Sequence, residues 1–241
     1  MNQLIIILLF LISIASYGQI EIKIAPSAKS SAGSKYIKID ISNKTDKYYV
    51  VPIDTLTLRP FDNDNKWKDF EKANIVQSSL ALTLYVKEKG DNDYLSAVFM
   101  PLHPDVQNVD EVEKQLTLEI QKKNERLEEW KKSNKIKSGI DIEKNLYLNN
   151  NTVILKPNET LSIHRKIHHD FTLEVLKSYK MNFLYGIKGN TEYEIFVQLD
   201  APKNLSNFLT TEQQIRITNY RIFEGSIKSN SICYKTDLVD Y

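Results

Sequence analysis

The sequence contains little cysteine and little glycine, and its net charge is close to zero. Its single cysteine, Cys233, excludes any disulfide within the chain of 241 residues. The seven glycines form none of the GxGxxG, GxxxxGK or GxSxG patterns, so nucleotide binding and the common serine-hydrolase layout lose their usual sequence support. The formal net charge of +1 gives no electrostatic basis for binding nucleic acid or an anionic membrane.

The lone cysteine lies between two apolar residues, Ile232 and Tyr234. We expect Cys233 to be buried as a small hydrophobic side chain. A nucleophilic role would need a histidine partner, and no spacing in the sequence indicates one.

The chain begins with MNQLIIILLFLISIASYGQI. Its apolar run starts at Leu4 and is about 11 residues long, whereas a membrane-spanning helix needs about 20. Small residues follow at Ser16 and Gly18, and they suit signal-peptidase cleavage before Gln19. We therefore predict that residues 1–18 are a secretory signal peptide, although no lysine or arginine precedes the apolar run. An uncleaved N-terminal anchor and a buried first strand are the alternatives.

The isoleucine- and leucine-rich run followed by SYGQ resembles the signal sequences of exported proteins from the Bacteroidetes. The resemblance covers only the N-terminal residues. It implies a bacterial protein that is secreted or periplasmic, and it carries over no catalytic or binding residue. Once the signal is removed, we expect no integral membrane segment.

Downstream of the signal, apolar and polar residues alternate in the manner of half-buried β-strands. IEIKIAP and KYIKIDIS each place three isoleucines on one face, and KYYVVPID and TLTLRPF follow. Two segments predict hairpins: LALTLYVKEKGDNDYLSAVFM, with its turn at 90–93, and YKMNFLYGIKGNTEYEIFVQL, with its turn at Gly189 and Asn190. QQIRITNYRIF and GSIKSNSICYK predict two further strands.

One segment, NVDEVEKQLTLEIQKKNERLEEWKKSNK, has the periodicity of a helix. Its apolar residues form a single stripe, which predicts an α-helix over about 109–135. We expect the helix to pack on the outer face of a sheet, with Leu116, Ile120 and Leu127 largely buried and Lys123 and Lys132 exposed. A coiled-coil helix that serves a partner is the alternative.

These elements predict a mainly β fold, an antiparallel Ig-like β-sandwich with one long inserted α-helix. The segment LKPNETLSI resembles the L-x-P-G-E corner of exported Ig-like sandwich domains, with Asn158 in the usual glycine position. We expect residues 19–241 to form a single domain with a helical insertion at 105–140. A division into two domains near that insertion is the alternative.

The strongest candidate for chemistry is LSIHRKIHHDF, which contains three of the four histidines beside an aspartate. Imidazole is the commonest ligand for zinc and related metals. Along a straight strand, however, His164 and His168 are roughly 13 Å apart, at about 3.3 Å per residue, and His169 points to the other face. His103 is distant in sequence, and no HExxH pattern is present. We therefore predict no metal site.

A second acidic segment, FDNDNKWKDFE, carries Asp62, Asp64, Asp69 and Glu71. Counted from Asp62, an EF-hand would need an oxygen ligand and then glycine where Lys66 and Trp67 stand, so a standard EF-hand is excluded. We expect a polar loop whose aromatic residues, Phe61, Trp67 and Phe70, pack onto the core. An irregular calcium site is the alternative.

The sequence thus favours an exported, non-enzymatic β-sandwich that acts as a binding or assembly module of the bacterial cell envelope. We predict no catalytic residue and no cofactor. The expected partner is an unidentified envelope protein or glycan, and not nucleic acid. The alternative function is a metal-dependent hydrolase that uses His164, His168, His169 and Asp170.

Overall fold

The structure, a computed structural model, describes most of the chain after the predicted signal peptide. The described residues are 19–29, 35–63, 70, 76, 78–101, 109–167, 170–176 and 179–236. Residues 1–18 lie outside them, so the signal-peptide prediction is untested by the structure. Among the described helices, none combines the length and the apolar character needed to cross a membrane.

The described chain is mainly β, as the alternating pattern predicts. In chain order the strands are β1 (Ile20–Pro26), β2 (Tyr36–Asn43), β3 (Tyr49–Pro52), β4 (Asp54–Pro60), β5 (Ala81–Glu88), β6 (Val98–Pro101), β7 (Thr152–Leu155), β8 (Thr160–Lys166), β9 (Asp170–Leu176), β10 (Tyr179–Leu184), β11 (Glu192–Ala201), β12 (Arg221–Ile222), β13 (Gly225–Lys228) and β14 (Ile232–Lys235). The helices are α1 (Val109–Ser133), α2 (Ile142–Asn150) and α3 (Thr211–Ile217), with a short 3₁₀ helix at Leu205–Phe208.

The strands form four sheets whose hydrogen-bonded orders are β1-β2-β8, β6-β10-β9, β13-β11-β5-β4 and β12-β3-β7. Strand β14 also pairs with β11, beyond the end of β13. Most neighbours are antiparallel, but β4–β5 and β12–β3 are parallel. The arrangement is therefore mixed rather than purely antiparallel.

One hydrophobic cluster takes side chains from strands on both sides of α1. Alternation in β1 and β2 directs their isoleucines into it, as predicted from the sequence. Strands β5 and β11 also contribute every second residue to the cluster, including Leu84 and Ile195. A smaller cluster beside it joins α2, the 3₁₀ helix and the segment before β5, and includes Leu80, Leu148 and Phe208.

Both predicted hairpins are wrong. Strand β5 pairs with β11 and not with β6, while β6 pairs with β10. The two strands of each predicted hairpin therefore belong to different sheets. The turns at Gly90 and Asn190 connect one sheet to another. The prediction that these residues lie in turns is confirmed, since Gly90 (φ 97°) and Asn190 (φ 55°) both adopt positive φ.

Two of the remaining strand predictions need correction. QQIRITNYRIF forms α3 and the two-residue strand β12, because Thr210 and Gln213 make a reciprocal capping box at the start of the helix. GSIKSNSICYK divides into β13 and β14, whose pairings with β11 differ in register by one residue. The extra residue lies within 229–231, as in a β-bulge. Helix α2 was not predicted at all.

The long helix is confirmed in its extent, with α1 ending close to the predicted residue. Its packing differs from the prediction, because among the described elements its main contact is with helix α2 rather than with the outer face of a sheet. Lys123 is half-buried and pairs with Glu143 at 2.7 Å, while Ile120 is 44% exposed. Leu116 and Leu127 are only half-buried, and Lys132 is exposed as predicted. The half-buried stripe also includes Lys123 and Trp130, because a salt bridge and an indole hydrogen bond hold that face.

Candidate binding groove

The predicted histidine cluster is only partly within the described residues. His164 lies on β8, where its Nδ1 is 2.7 Å from the Ser27 hydroxyl. His103, His168 and His169 lie outside the described residues, and so does the side chain of Asp170. Among the side chains that are described, no group of three or more His, Cys, Asp or Glu could hold a metal ion.

The acidic segment is likewise covered in part. Asp62 is described, whereas Asp64, Asp69 and Glu71 lie outside the described residues, as does Trp67. The expectation that the aromatic residues pack inward is confirmed for Phe70, which is buried in the smaller cluster. Phe61 is partly buried against the large cluster.

Cys233 is exposed, which corrects the prediction that it is buried. Strand β14 alternates, so its neighbours Ile232 and Tyr234 take the inward positions and pack against the large cluster. The side chain of Cys233 must then point to the outer face.

A buried polar cluster lies on the face of the β5–β11 sheet that points away from the large hydrophobic cluster. The Arg59 guanidinium donates from Nε to the Thr83 hydroxyl at 2.6 Å and from Nη1 to the Ser79 carbonyl at 3.0 Å. Its Nη2 is 3.6 Å from Asp200 Oδ2. That distance allows a charge interaction but not a hydrogen bond, and Asp200 Oδ2 accepts none.

This polar cluster is buried and joins strands of the sheet, and it is not an open binding site. Arg59 is only 1% exposed, so a ligand cannot reach its guanidinium without a rearrangement. Burial lowers the pKa of the Arg59 guanidinium, and the charge of Asp200 partly offsets that effect. The arrangement ties β4 to β5 and β11, and it leaves one carboxylate oxygen imperfectly paired.

An open groove lies on the outer face of the β12-β3-β7 sheet. It encloses about 350 Å³ and is bounded by α2, α3 and the 3₁₀ helix. Its fully buried lining residues are apolar and include Val50, Leu148 and Leu205. The more polar or exposed lining residues are Asn149, Thr152, Ile154, Gln213, Arg216 and Tyr220. The size falls within the range of about 300–1,000 Å³ that is usual for ligand pockets.

Local sequence signals position the helices that form the groove. Asp141 caps α2 by accepting a hydrogen bond from the Lys144 amide at 3.0 Å. The capping box of Thr210 and Gln213 starts α3. Both helices then bring apolar residues to the smaller cluster and polar residues to the groove.

A buried amide fixes α2 relative to α3 and α1. Asn145 is 0% exposed; its Nδ2 donates to the Phe208 carbonyl at 2.6 Å and to Gln213 Oε1 at 2.7 Å. Its Oδ1 accepts from the Trp130 indole at 2.8 Å and from Gln213 Nε2 at 3.3 Å. The relative position of the groove's helical walls therefore depends on one fully hydrogen-bonded side chain.

The polar side of the groove carries a positive charge. Arg216 is exposed, and no carboxylate among the described residues pairs with it. Glu212, on the same helix, is 4.0 Å from Lys135 instead. Next to the groove, Ile154 is 47% exposed, and the rings of Tyr48 and Tyr220 are 5.6 Å apart. The groove thus offers apolar surface beside an unneutralised guanidinium.

Comparison with known proteins adds no family. No protein-family model matches the chain, and no curated protein matches it either. The groove was not predicted from the sequence, because its lining comes from segments between residues 50 and 220 that meet only through the fold. The sequence signals that could have indicated part of it are the N-cap of α2 at Asp141 and the capping box of α3 at Thr210.

Proposed function

We propose that this protein is a non-enzymatic binding module, exported to the cell envelope, whose binding site is the groove between α2, α3 and the β12-β3-β7 sheet. The observation that carries the proposal is the combination of an apolar floor with the cation Arg216, which no described carboxylate pairs, on the polar side. Such a site suits a ligand with an apolar body and an anionic group.

The lining of the groove favours binding over catalysis. Its described lining residues include no His, Cys, Asp or Glu, which are the side chains that most often act as general acids, bases or nucleophiles. His164, which belongs to the alternative hydrolase hypothesis, lies on β8, forms a hydrogen bond with Ser27 and does not line the groove. No observation favours that alternative.

The export part of the proposal rests on the sequence. The short apolar run that ends in small residues before Gln19 is the pattern of a cleaved signal. The carbonyl of Gln19 accepts a hydrogen bond from the Lys44 amide at 3.0 Å. A mature chain that starts there would have its first residue anchored beside β2.

We further propose that the fold is an Ig-like β-sandwich formed by residues 19–241 as one domain. The shared hydrophobic cluster supports this, because β1 and β2 contribute side chains to the same core as β5 and β11. Asn158 adopts φ 58°, a conformation in which glycine is favoured. This agrees with the glycine-like corner that the sequence resembles.

The binding proposal is tested with anilinonaphthalene sulfonate, an apolar anion, as the probe. We expect its fluorescence to rise on binding and its affinity to fall about fivefold in Arg216→Ala, as expected for loss of about 1 kcal/mol from an exposed ion pair. The matched control is Arg126→Ala, which removes the same charge from the exposed side of α1. Equal affinity in all three proteins, or no binding, would contradict the proposal.

A further inference from the structure

Strand β7 has one edge that no part of the described chain covers. The pairing of β3 with β7 places Val51 opposite Val153, and the Ile53 amide donates to the Asn151 carbonyl at 2.8 Å. In an antiparallel pair, the backbone N–H and C=O groups of successive residues point alternately toward the partner strand and away from it. The backbone groups of Asn151 and Val153 therefore point toward β3, and those of Thr152 and Ile154 point away from it.

The opposite side of β3 confirms this alternation. The Tyr48 and Val50 carbonyls accept hydrogen bonds from β12 and its neighbour, through the amides of Arg221 and Phe223, each at 2.9 Å. Strand β3 is thus paired on both sides, and β7 is the edge of its sheet. Within the described residues, no backbone hydrogen bond reaches the outward N–H or C=O of Thr152 or Ile154.

Two other sheet edges, those of β1 and β8, carry features that hinder pairing. On β1, the side chain of Asn230 accepts from the Ile24 amide at 2.8 Å and donates to the Ile24 carbonyl at 3.0 Å, in place of a neighbouring strand. On β8, the outward positions include His164 and Lys166. Strand β7, with the sequence TVIL, has no charge, proline or bulge. Proteins usually protect exposed edges by such devices.

The unprotected edge adjoins the groove and its cation. Thr152 and Ile154 both line the groove, together with Arg216. Because side chains on one face of a strand are two residues apart, a strand added beside β7 would direct alternate side chains to the groove side. An apolar side chain there would meet Ile154, and a carboxylate would meet the guanidinium of Arg216, which has no carboxylate partner within the described residues.

We propose that the ligand of this groove is an extended peptide segment of another protein, which adds as a strand to the free edge of β7. The segment carries apolar residues at alternate positions and an acidic residue that pairs with Arg216. Main-chain hydrogen bonds to Thr152 and Ile154 provide affinity, and the groove provides selectivity. This inference rests on the proposed binding function and names the class and geometry of its partner.

The test selects peptides of about eight residues, the span of a typical strand, from a random phage-displayed library on residues 19–241. Selected peptides are then measured by calorimetry on wild type, Ile154→Pro and Ile154→Val. Proline removes an N–H that the native ladder does not use, so the fold should persist. We expect Ile154→Pro to weaken binding at least about tenfold, and Ile154→Val to change it by no more than about twofold.

A second measurement leaves the protein unchanged. Selected peptides are remade with N-methyl groups at either set of alternate amides. Strand addition predicts that one set abolishes binding and the other does not, because only every second amide faces β7. Reversing the charge in Arg216→Glu should weaken the acidic peptides at least about tenfold. Equal effects of both N-methyl sets, or selection of no peptide above the Ile154→Pro background, would overturn the inference.

These outcomes separate the inference from the function on which it rests. If anilinonaphthalene sulfonate binds in an Arg216-dependent manner and the peptides fail these tests, the groove is a binding site but not for a strand. If the sulfonate probe also fails to bind, the proposed function falls as well. A wild-type dimer in sedimentation that Ile154→Pro dissociates would assign the edge to a second copy of the chain and would overturn the choice of partner.

Discussion

Replacing Asn145 with alanine tests how the helices around the groove are held together. The amide makes four hydrogen bonds at 2.6–3.3 Å, to Trp130, Phe208 and Gln213. Alanine removes all four at once. It also leaves the Trp130 indole and the Phe208 carbonyl without this partner in a site where Asn145 itself is fully buried.

The expected cost follows from these contacts. A net contribution of about 1 kcal/mol per hydrogen bond, with further cost for buried groups left unpaired, gives a loss of about 3–5 kcal/mol in the free energy of unfolding. This is a large fraction of the 5–15 kcal/mol that is typical of a domain. The control is Asn150→Ala on the same helix, an exposed position, where we expect a loss below about 1 kcal/mol.

Urea unfolding followed by circular dichroism and by tryptophan fluorescence measures both variants. The chain has two tryptophans, so a Trp67→Phe background makes Trp130 the sole fluorescent reporter of the contact between α1 and α2. We expect the fluorescence transition to move to lower urea in Asn145→Ala. A loss below about 1 kcal/mol, equal to that of the control, would refute the reasoning that this amide joins the helices.

Three further predictions concern charge, pH and processing. Asp200→Asn should lower the free energy of unfolding by about 3 kcal/mol because it removes the negative charge that faces the buried Arg59 guanidinium. In urea unfolding, the double variant with Arg59→Met should cost less than the two single changes together. Burial raises the pKa of the Tyr185 phenol. Since an unfolded tyrosine ionises near pH 10, the free energy of unfolding should fall as the pH rises above about 10. Tyr185→Phe should reduce that fall when unfolding is measured at about pH 8 and pH 11. The intact mass of exported protein should correspond to a chain that starts at Gln19, and a retained Met1 would contradict the signal-peptide prediction.

Elements that depend on local periodicity could be predicted from the sequence. The isoleucines of β1 and β2 alternate, and the structure buries them on one face. The stripe and the charge distribution of α1 predict its extent closely. These signals work because each strand or helix needs to bury only one face, whatever its neighbour is.

Strand pairing could not be predicted in the same way. Gly90 and Asn190 have the backbone freedom of hairpin turns, and their positive φ values confirm the local interpretation. A turn that joins two strands of one sheet and a turn that crosses between sheets use the same residue types, however. The choice depends on contacts between distant segments, such as β5 with β11. Local sequence carries no information on those contacts.

The helical capping signals show where the sequence was informative but was interpreted incorrectly. The segment QQIRITNYRIF alternates well enough to resemble a strand. Thr210 and Gln213, three residues apart, form the capping box that makes it a helix. A cap satisfies backbone amides that would otherwise be unpaired, and here it prevailed over the alternation of Ile215 and Ile217.

The groove has no local sequence motif, but particular residues of the sequence still determine its shape. Its walls need α2 and α3 in fixed positions, and Asn145 and Gln213 determine them through paired amides. Gln213 belongs to the capping box of α3, whereas Asn145 lies in no recognisable motif, and no local pattern indicates that the two side chains pair. A destabilised Asn145→Ala protein should therefore also bind the anionic probe more weakly, although Asn145 does not line the groove. Unchanged probe binding in a measurably destabilised variant would show that the groove does not depend on this contact.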